Sequence, residues 1–584
     1  MMRLKRIKKL WPAREKTTRQ NSGKTPSELV LSEQEAIETF TKTKPKPYQL
    51  TTIKELLTEL GGRDVALWLP TGTGKTYVYL PVAIAAANKG YRVCILVATN
   101  LIMGQMKQKY FPNFGTNIEP YYAKGIEHYK CLLTVDSADY GTCTLEQRTL
   151  CQADNPDCMV LHTNRQLEEH GFVITNFHKF LSVPTKRGFD LIVVDDSHGF
   201  ENALDDKFQS RIAYYQIDGL YRRHQSLNDA ISNFAGTFLD LFDNILGAVS
   251  PDQLTRRIPD DDVKKMAGIE GYDEVLIQMK DLDKLDRSAS YGLLYFIRSC
   301  QKATLNTFYV QKDYYNRDDP QEAALIARKS DAFQHNVITS LFGESRVLFV
   351  SATPGDIVTH ANYCTHRRYG KDTISVIPRT PPAALKNWFK GLRIFETQDF
   401  PEDVEDPIER SAEIVAEMLT RIPGKILLLF KNYRDQRRAE GILKRLVTRE
   451  ITFIDDSYET ETVQTLVDKA DVIMATASSR LWEGIDISDL KLDIVFSLPF
   501  IRPPVYLDSS KSFPFVKRKM LIRLQQGIGR LVRKEGDRGV CVIFDKRLEK
   551  YKSSSNFSEA YRERIKLTNI AKVSREVERA IGVV

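Results

Sequence analysis

The segment LPTGTGKT at 69–76 constrains the fold of this 584-residue chain more than any other feature. It follows the apolar run VALWL (65–69) and opens a second apolar stretch. A glycine-rich turn between a strand and a helix directs successive backbone N–H groups and the helix N-terminus at one anion. We therefore expect a phosphate-binding loop here, inside an α/β domain with parallel strands.

The residue types of this loop fit a nucleotide. Gly72 and Gly74 let the backbone approach the phosphates closely. Lys75 is expected to reach the β- and γ-phosphates, and the hydroxyl of Thr76 is expected to ligate Mg²⁺. The predicted nucleotide-binding set in the loop is Thr71, Gly72, Thr73, Gly74, Lys75 and Thr76.

Short runs of Val, Ile and Leu recur in two series. The first series is VALWL (65–69), RVCILVA (92–98), LIVVD (191–195) and RVLFVSA (346–352), and the second is KILLLF (425–430), ITFI (451–454), DVIMA (471–475), DIVFSL (493–498) and GVCVIF (539–544). Such runs are typical of strands buried on both faces of a parallel sheet. The acidic segment DFPEDVEDP (399–407) separates the series, and apolar residues at helical spacing follow it. We therefore predict two α/β domains, the first with long interruptions at 107–183 and about 203–344.

Two further segments carry chemistry. The strand LIVVD runs into DDSH (195–198), and a buried strand that ends in two carboxylates, Asp195 and Asp196, predicts a site because uncompensated burial of charge is costly. The segment QGIGRLVR (526–533) contributes Gln526, Arg530 and Arg533. Alone, such arginines are typical of a solvated surface. In a chain that already contains the phosphate-binding loop and the acidic motif, such arginines are typical of cations that stabilise phosphoryl transfer across a cleft.

The ordered motifs resemble those of superfamily 2 DNA helicases of the XPD/DinG (iron–sulfur, DEAH-type) group, nearest to bacterial DinG-like helicases. The helicase form of the phosphate loop, PTGTGKT, replaces the generic form, which has glycine where Leu69 stands. The matching segments cover roughly residues 45–550. They are KPYQL (46–50), PTGTGKT (70–76), VATNLIMGQM (97–106), VITNFHKFL (173–181), DDSH (195–198), VSATP (350–354), SRLWEGIDI (479–487), QGIGRLVR (526–533) and DRGVCVIFDKR (537–547).

The resemblance assigns roles to residues of these segments. It implies that Gln49 contacts adenine, that Gly484 and Asp486 belong to the ATP site, and that Asp195 joins Thr76 in holding Mg²⁺. Asp196 stands where the family has glutamate to orient the attacking water. Aspartate is one methylene shorter, so its carboxylate falls back by about 1–1.5 Å unless the backbone compensates, and a displacement of about 1 Å can cost about 10²-fold in rate. The catalytic set implied in this way is Lys75, Asp195, Asp196, Gln526, Arg530 and Arg533.

The resemblance also implies an α/β fold with two RecA-like parallel-sheet motor domains and two inserted domains. The divisions we predict are a basic arm at 1–30, motor domain 1 at 31–106, 184–202 and 345–390, an iron–sulfur or relic domain at 107–183, a helical arch at 203–344, an acidic linker at 391–408 and motor domain 2 at 409–584.

Four of the eight cysteines, Cys131, Cys143, Cys151 and Cys158, fall within 28 residues. Four thiolates suit an iron–sulfur cluster or zinc. In this family the corresponding insertion commonly carries a [4Fe–4S] cluster on four cysteines, but the C-x2-C pair of the usual pattern is absent here. A [4Fe–4S] site, a zinc site or metal-free relic, and a coincidental grouping therefore all stay open.

The net charge of +8 equals that of residues 1–24 alone, which contain nine Lys or Arg and one acid. A basic arm suits phosphate backbones; a solubilising tail or an address signal is the alternative. Without a long apolar run, we expect no membrane contact. A cytoplasmic, nucleoid- or plasmid-associated location is the corresponding expectation.

Three function classes follow. The first is a monomeric ATP-dependent helicase that moves on single-stranded DNA, 5′→3′ as the resemblance implies, and unwinds forks or R-loop-like DNA. The second is a nucleotide-gated DNA-binding protein whose hydrolysis is slow or lost. The third is an accessory recruited through the arm by a repair complex or by a CRISPR or plasmid-borne ribonucleoprotein.

Overall fold

The computed structural model describes residues 29–583 except 126–127, 130–157, 183–187, 228, 251–252, 280–281, 313–318, 354, 371, 381–384, 386, 399–406, 455–459, 478–481, 483–486 and 508. Within these residues it contains two seven-stranded sheets and one four-stranded sheet. The predicted basic arm at 1–30 lies almost wholly outside the described residues.

The first sheet is parallel throughout and carries the phosphate-binding loop. Its inner strands are buried on both faces, as their continuous apolar sequences predict. From edge to edge, the strands are Ile374–Ile377, Asp64–Trp68, Arg346–Ser351, Leu191–Val194, Val93–Val97, Phe172–Asn176 and Tyr121–Ala123. The helices of this region are Glu33–Glu38, Pro47–Leu60, Thr76–Asn88, Asn100–Gln105, Met159–Glu169, Phe177–Ser182, Phe200–Phe208, Asp331–Phe342 and Ile357–Thr365.

The second sheet is also parallel. Its strand order is Ile451–Phe453, Val472–Thr476, Lys425–Phe430, Leu490–Val495, Gly539–Ile543, Leu392–Thr397 and Ile565–Thr568. The helices of this region are Pro407–Arg421, Tyr433–Leu446, Thr460–Lys469, Ser509–Ile528, Leu548–Tyr551, Glu559–Arg562 and Val573–Ile581. The predicted pair of parallel α/β domains is therefore confirmed.

The second interruption of the first domain is not purely helical, and on this point the prediction of a helical arch is wrong. Five helices pack there, at Tyr214–His224, Ala230–Gly247, Asp260–Ala267, Tyr272–Gln278 and Lys284–Gln301. Beside them lies an antiparallel sheet with the order Gln209–Ala213, Ala324–Lys329, Asn306–Gln311 and Thr255–Arg257. These strands are short and far apart in sequence, and long-range pairing of this kind leaves no local pattern.

Two predicted divisions also differ from the structure. Strands Tyr121–Ala123 and Phe172–Asn176 fall inside the predicted inserted domain at 107–183, yet both pair into the first sheet. Strand Leu392–Thr397 falls inside the predicted linker at 391–408 and pairs into the second sheet. In each case a parallel partner distant in sequence decides the placement.

Among the described residues, no helix combines the length and the apolar character that crossing a membrane requires.

Candidate active site

The glycine-rich loop lies between strand Asp64–Trp68 and helix Thr76–Asn88. Gly72 and Gly74 have φ values of 77° and 79°, a region where side chains with a Cβ are strained. The hydroxyl of Thr73 donates to the carbonyl of Pro70 at 2.7 Å and closes the turn. The predicted strand–loop–helix context is therefore confirmed.

The helix Pro47–Leu60 holds this loop from one side. The Gln49 amide nitrogen lies 3.1 Å from the carbonyl oxygen of Thr73 and 3.4 Å from that of Gly74. The Tyr48 hydroxyl donates to the Thr73 carbonyl at 2.6 Å. The donor of Gln49 is thus directed at the loop backbone, and the predicted contact with adenine stays a prediction.

Lys75 lies at the start of the helix, where it meets charges from both domains. Burial lowers the pKa of its ammonium, while the carboxylates of Asp196 and Asp195 raise it and the guanidinium of Arg533 lowers it further. Four of the predicted catalytic residues are therefore close enough to influence one another electrostatically.

Strand Leu191–Val194 delivers Asp195 to the same place. Its Oδ2 accepts a hydrogen bond of 2.8 Å from the Tyr79 hydroxyl, and its Oδ1 accepts one of 3.1 Å from the Asp196 N–H. Burial, and then the neighbouring Asp196, raise the pKa of Asp195 to about 7. A buried carboxylate with this environment is suited to a divalent cation, which would supply the missing positive charge.

Asp196 adopts a left-handed backbone conformation, with φ 47° and ψ 50°. Aspartate and asparagine tolerate this region better than most residues. The conformation turns the chain sharply from the strand into the short 3₁₀ turn Ser197–Gly199.

The third element of the site is strand Arg346–Ser351, which ends in the predicted VSATP motif. His198 Nδ1 lies 3.3 Å from the Ser351 hydroxyl oxygen, and that oxygen accepts from the Thr353 N–H at 3.0 Å. The acidic motif and the VSATP motif are therefore linked side chain to side chain.

The second domain closes the site opposite the loop. The Thr71 hydroxyl donates to the Gly529 carbonyl at 2.9 Å. From the segment that leads into the second domain, the Trp388 indole donates to the Thr71 carbonyl at 3.2 Å. A Cβ at Gly72 would overlap the backbone carbonyl of Arg533. The loop and the arginine motif, more than 450 residues apart, are in direct contact.

The other two residues of the QGIGRLVR segment lie deeper. Arg530 is buried and influences Asp493, whose pKa burial raises to about 7 although Arg530 opposes the increase. The Gln526 Oε1 is also buried, and it has no hydrogen-bond partner among the described residues. Trp482 of the SRLWEGIDI segment is fully buried and donates to the Arg523 carbonyl at 2.5 Å.

Several predicted residues cannot be placed. Gly484 and Asp486 lie outside the described residues, and so do three of the four clustered cysteines, Cys131, Cys143 and Cys151. The fourth, Cys158, is buried at the start of helix Met159–Glu169.

The structure adds an interdomain cluster that the motifs did not indicate. Glu201, in the helix Phe200–Phe208 that follows DDSH, accepts two hydrogen bonds from Arg518, at 2.9 and 2.8 Å. The ammonium of Lys519 lies 2.7 Å from the same carboxylate, and His360 Nδ1 lies 2.5 Å from it. We call these four residues the Glu201 cluster.

The Glu201 cluster is a network of ion pairs. Burial would raise the pKa of Glu201, but Lys519 and Arg518 hold it well below its usual range. Although Glu201, His360 and Cys364 have ligand atoms within 4.8 Å of one another, the carboxylate already neutralises two cations. This arrangement does not favour a metal ion. In the sequence, only the spacing of charged residues after DDSH could have indicated the cluster. That spacing does not identify the residues that contact Glu201.

Two protein-family models match the chain. One is described as Helicase C-terminal domain and matches residues 415–564. The other is described as Type III restriction enzyme, res subunit, and matches residues 42–227. The two matches contain the arginine motif and the phosphate-binding loop, respectively.

Similar proteins include the ATP-dependent helicase DinG of Mycobacterium tuberculosis (strain ATCC 25618 / H37Rv), 32% identical over 148 residues. That match covers 23% of this chain and 22% of the relative's own length. A probable ATP-dependent helicase of Methanocaldococcus jannaschii is 22% identical over 589 residues, which cover 83% of this chain and 89% of that protein. A solved XPD helicase structure has a TM-score of 0.64 at 14% identity and covers 90% of this chain and 100% of its own. The likeness in fold therefore extends over most of this chain.

Proposed function

We propose that this chain belongs to the XPD/DinG group of superfamily 2 helicases, that it hydrolyses ATP between its two parallel-sheet domains, and that it uses the cycle to move 5′→3′ along single-stranded DNA and unwind duplexes. The observation that carries this proposal is the contact between the phosphate-binding loop and the arginine motif. Thr71 reaches Gly529 at 2.9 Å, and Arg533 lies near enough to Lys75 to lower its pKa.

The roles follow from charge and position. Lys75 and the loop N–H groups would bind the β- and γ-phosphates. Thr76 and Asp195 would hold Mg²⁺, which when bound neutralises phosphate charge. Asp196 would orient the attacking water. Arg533 would stabilise the transition state from the opposite domain, which it can do only when the cleft is shut.

Coupling to DNA would use the contacts around the acidic motif. The link between His198 and Ser351 connects strand Leu191–Val194 to the VSATP motif. Just beyond that motif, the Asp356 N–H donates at 3.0 Å to Asn556 of the second domain. These contacts would transmit a change at the γ-phosphate to the interface between the two domains. Opening and closing of the cleft would then move a bound strand.

A second candidate function is a nucleotide-gated DNA clamp with slow hydrolysis. It is favoured by Asp196, whose short side chain stands on a sharply turned backbone with φ 47°. The function of the arm at 1–30 and a ribonucleoprotein or repair partner recruited through it stay predictions, since residues 1–28 lie outside the described residues.

The [4Fe–4S] cluster also stays a proposal. It is supported by the burial of Cys158 and by the grouping of the four cysteines in sequence. Iron content and visible absorbance of protein purified without oxygen test it. Iron close to four per chain, lost in Cys158→Ser, is the expected result, and colourless protein that contains zinc would contradict it.

Strand displacement tests the proposed function directly. Duplexes with a 5′ or a 3′ single-stranded tail would be incubated with the protein and ATP, with ADP as the control. We expect displacement only with the 5′ tail and only with ATP. Displacement from the 3′ tail alone would overturn the polarity. Nucleotide-dependent DNA binding without displacement or hydrolysis would favour the clamp.

A further inference from the structure

The hydroxyl of Tyr79 lies between the two residues expected to ligate Mg²⁺. It donates to Asp195 Oδ2 at 2.8 Å, and the Thr76 side chain lies close enough to interact with it. Tyr79 follows Thr76 by three residues on the helix Thr76–Asn88, so the two side chains share one face. The phosphate-binding motif ends at Thr76 and assigns no role to Tyr79.

The ring of Tyr79 is held in place by packing, and its hydroxyl is held by the hydrogen bond to Asp195. Its exposed fraction is 0%, and it belongs to the apolar core of the first domain. A buried tyrosine offers an apolar body and one polar tip, so its hydroxyl has few positions to occupy. The hydroxyl oxygen of Tyr79 therefore has a fixed position between the side chains of Thr76 and Asp195, which belong to different elements.

The chemistry of the hydroxyl suits metal ligands on both sides. A threonine hydroxyl that ligates a cation uses an oxygen lone pair, so its proton must point elsewhere. The oxygen of Tyr79 can accept that proton and donate its own proton to Asp195. Because the other Asp195 oxygen accepts from the Asp196 N–H at 3.1 Å, both oxygens of this carboxylate are held.

We propose that Tyr79 is a positioning residue for Mg²⁺ binding, which acts by orienting the Thr76 hydroxyl and the Asp195 carboxylate together. This inference rests on the proposed function, because it needs a Mg²⁺–nucleotide complex in the cleft. Groups that hold metal ligands in place are typically worth about 10–100-fold in metal affinity. Tyr79 therefore affects the Mg²⁺ requirement rather than the affinity for metal-free nucleotide.

The test is a Mg²⁺ titration of fluorescent ADP binding to the full-length chain, with Tyr79→Phe and the control Tyr77→Phe. Tyr77 lies on the same helix, but its hydroxyl accepts from Asn113 at 3.3 Å. We expect Tyr79→Phe to raise the half-saturating Mg²⁺ concentration about 10-fold or more. We expect binding in EDTA to be unchanged in both variants and the Mg²⁺ requirement of Tyr77→Phe to match that of the wild type.

A double-mutant cycle separates positioning from a general packing effect. If Tyr79 acts through Asp195, adding Tyr79→Phe to Asp195→Asn shifts the Mg²⁺ requirement less than it does in the wild type. A Tyr79→Phe requirement within two-fold of the wild type, or an equal shift in Tyr77→Phe, would overturn the inference and leave the proposed function standing. A wild-type chain whose nucleotide binding ignores Mg²⁺ would overturn both.

Discussion

The two parallel-sheet domains meet in two chemically different regions. In the nucleotide cleft, uncharged groups make single hydrogen bonds, as from the Thr71 hydroxyl to the Gly529 carbonyl, and several charges gather around Lys75. In the Glu201 cluster, one carboxylate accepts from Arg518 and also pairs with Lys519 and His360, and all four residues are buried. A bound nucleotide and cation would balance the charges of the cleft. The charges of the Glu201 cluster, in contrast, neutralise one another.

This difference assigns different tasks to the two regions. Single hydrogen bonds between uncharged groups contribute little net stability, because water or a ligand can replace them, so the cleft is suited to opening and closing. A buried, fully paired carboxylate is costly to separate from its partners. We therefore expect the cluster to persist when the cleft opens, and it begins three residues after His198 of the DDSH motif. We expect substitutions in the cleft to affect turnover and substitutions in the cluster to affect stability.

The largest expected effect is that of Lys75→Ala on hydrolysis. The β- and γ-phosphates would lose their cation, so we expect ATP turnover to fall by about 10³-fold or more. The melting temperature should stay close to that of the wild type, because the second-domain charge that influences Lys75 is the cation Arg533, which cannot form an ion pair with it. Wild-type turnover in a steady-state phosphate-release assay would break the assignment of the cleft.

Glu201→Gln should show the opposite pattern. Removing this charge leaves Arg518 and Lys519 buried without their partner, and we expect a loss of about 3–5 kcal/mol in the free energy of unfolding. The exposed pair of Arg410 and Glu413 supplies the control, because Glu413→Gln should cost less than about 1 kcal/mol. Denaturant unfolding measures both, and equal losses would remove the distinction between joint and surface.

The same cluster predicts a pH dependence of stability. The pKa of Glu201 in the folded chain is well below its ordinary value of 4.5. Its contribution is therefore complete above that value and is lost as the pH falls below it toward the folded-state pKa. Glu201→Gln should flatten the acid limb of the unfolding curve, and an unchanged acid limb would contradict the ion-pair description.

Asp196 tests how far the cleft is tuned for turnover. Asp196→Asn keeps the shape and tolerates the left-handed backbone, so we expect kcat to fall about 10²-fold with nucleotide affinity retained. Asp196→Glu should raise kcat, because the longer side chain reaches the position of the water. If both variants hydrolyse ATP like the wild type, Asp196 does not orient the water.

The smallest expected effect concerns the basic arm, which is part of neither the cleft nor the Glu201 cluster. Deleting residues 1–24 removes a net charge of +8, and we expect weaker binding to single-stranded DNA with a shallower salt dependence. ATP turnover without DNA should be unchanged. Binding curves across a salt series measure this, and an unchanged slope would show that the arm does not contact phosphate.

The sequence predicted local structure correctly. It did not predict the domain membership of strands whose pairing partners are distant in sequence. Continuous apolar runs identified strands such as Leu191–Val194 and Lys425–Phe430, and the glycine spacing identified the loop with Gly72 and Gly74. Strands Tyr121–Ala123 and Leu392–Thr397 were assigned elsewhere, because their membership depends on partners far along the chain.

The same limit applied within the site. The motif named Gln49 but not the contact of its amide with the loop backbone, and the contact with adenine stays a prediction. Tyr79 and Glu201 had no motif at all, since a tyrosine in an apolar helix and a glutamate after DDSH are ordinary residues until their partners are known. Their interpretation needed tertiary contacts.

The central claim is that one ATP site is built from both domains, and Arg533→Ala tests it most directly. ATP affinity and single-turnover hydrolysis would be measured beside Lys534→Ala, an exposed neighbour. An arginine supplied across a cleft is worth about 10³–10⁵-fold in kcat. We predict a loss of this size in Arg533→Ala with ATP affinity little changed, and wild-type rates in Lys534→Ala. Hydrolysis at the wild-type rate in Arg533→Ala would contradict the claim.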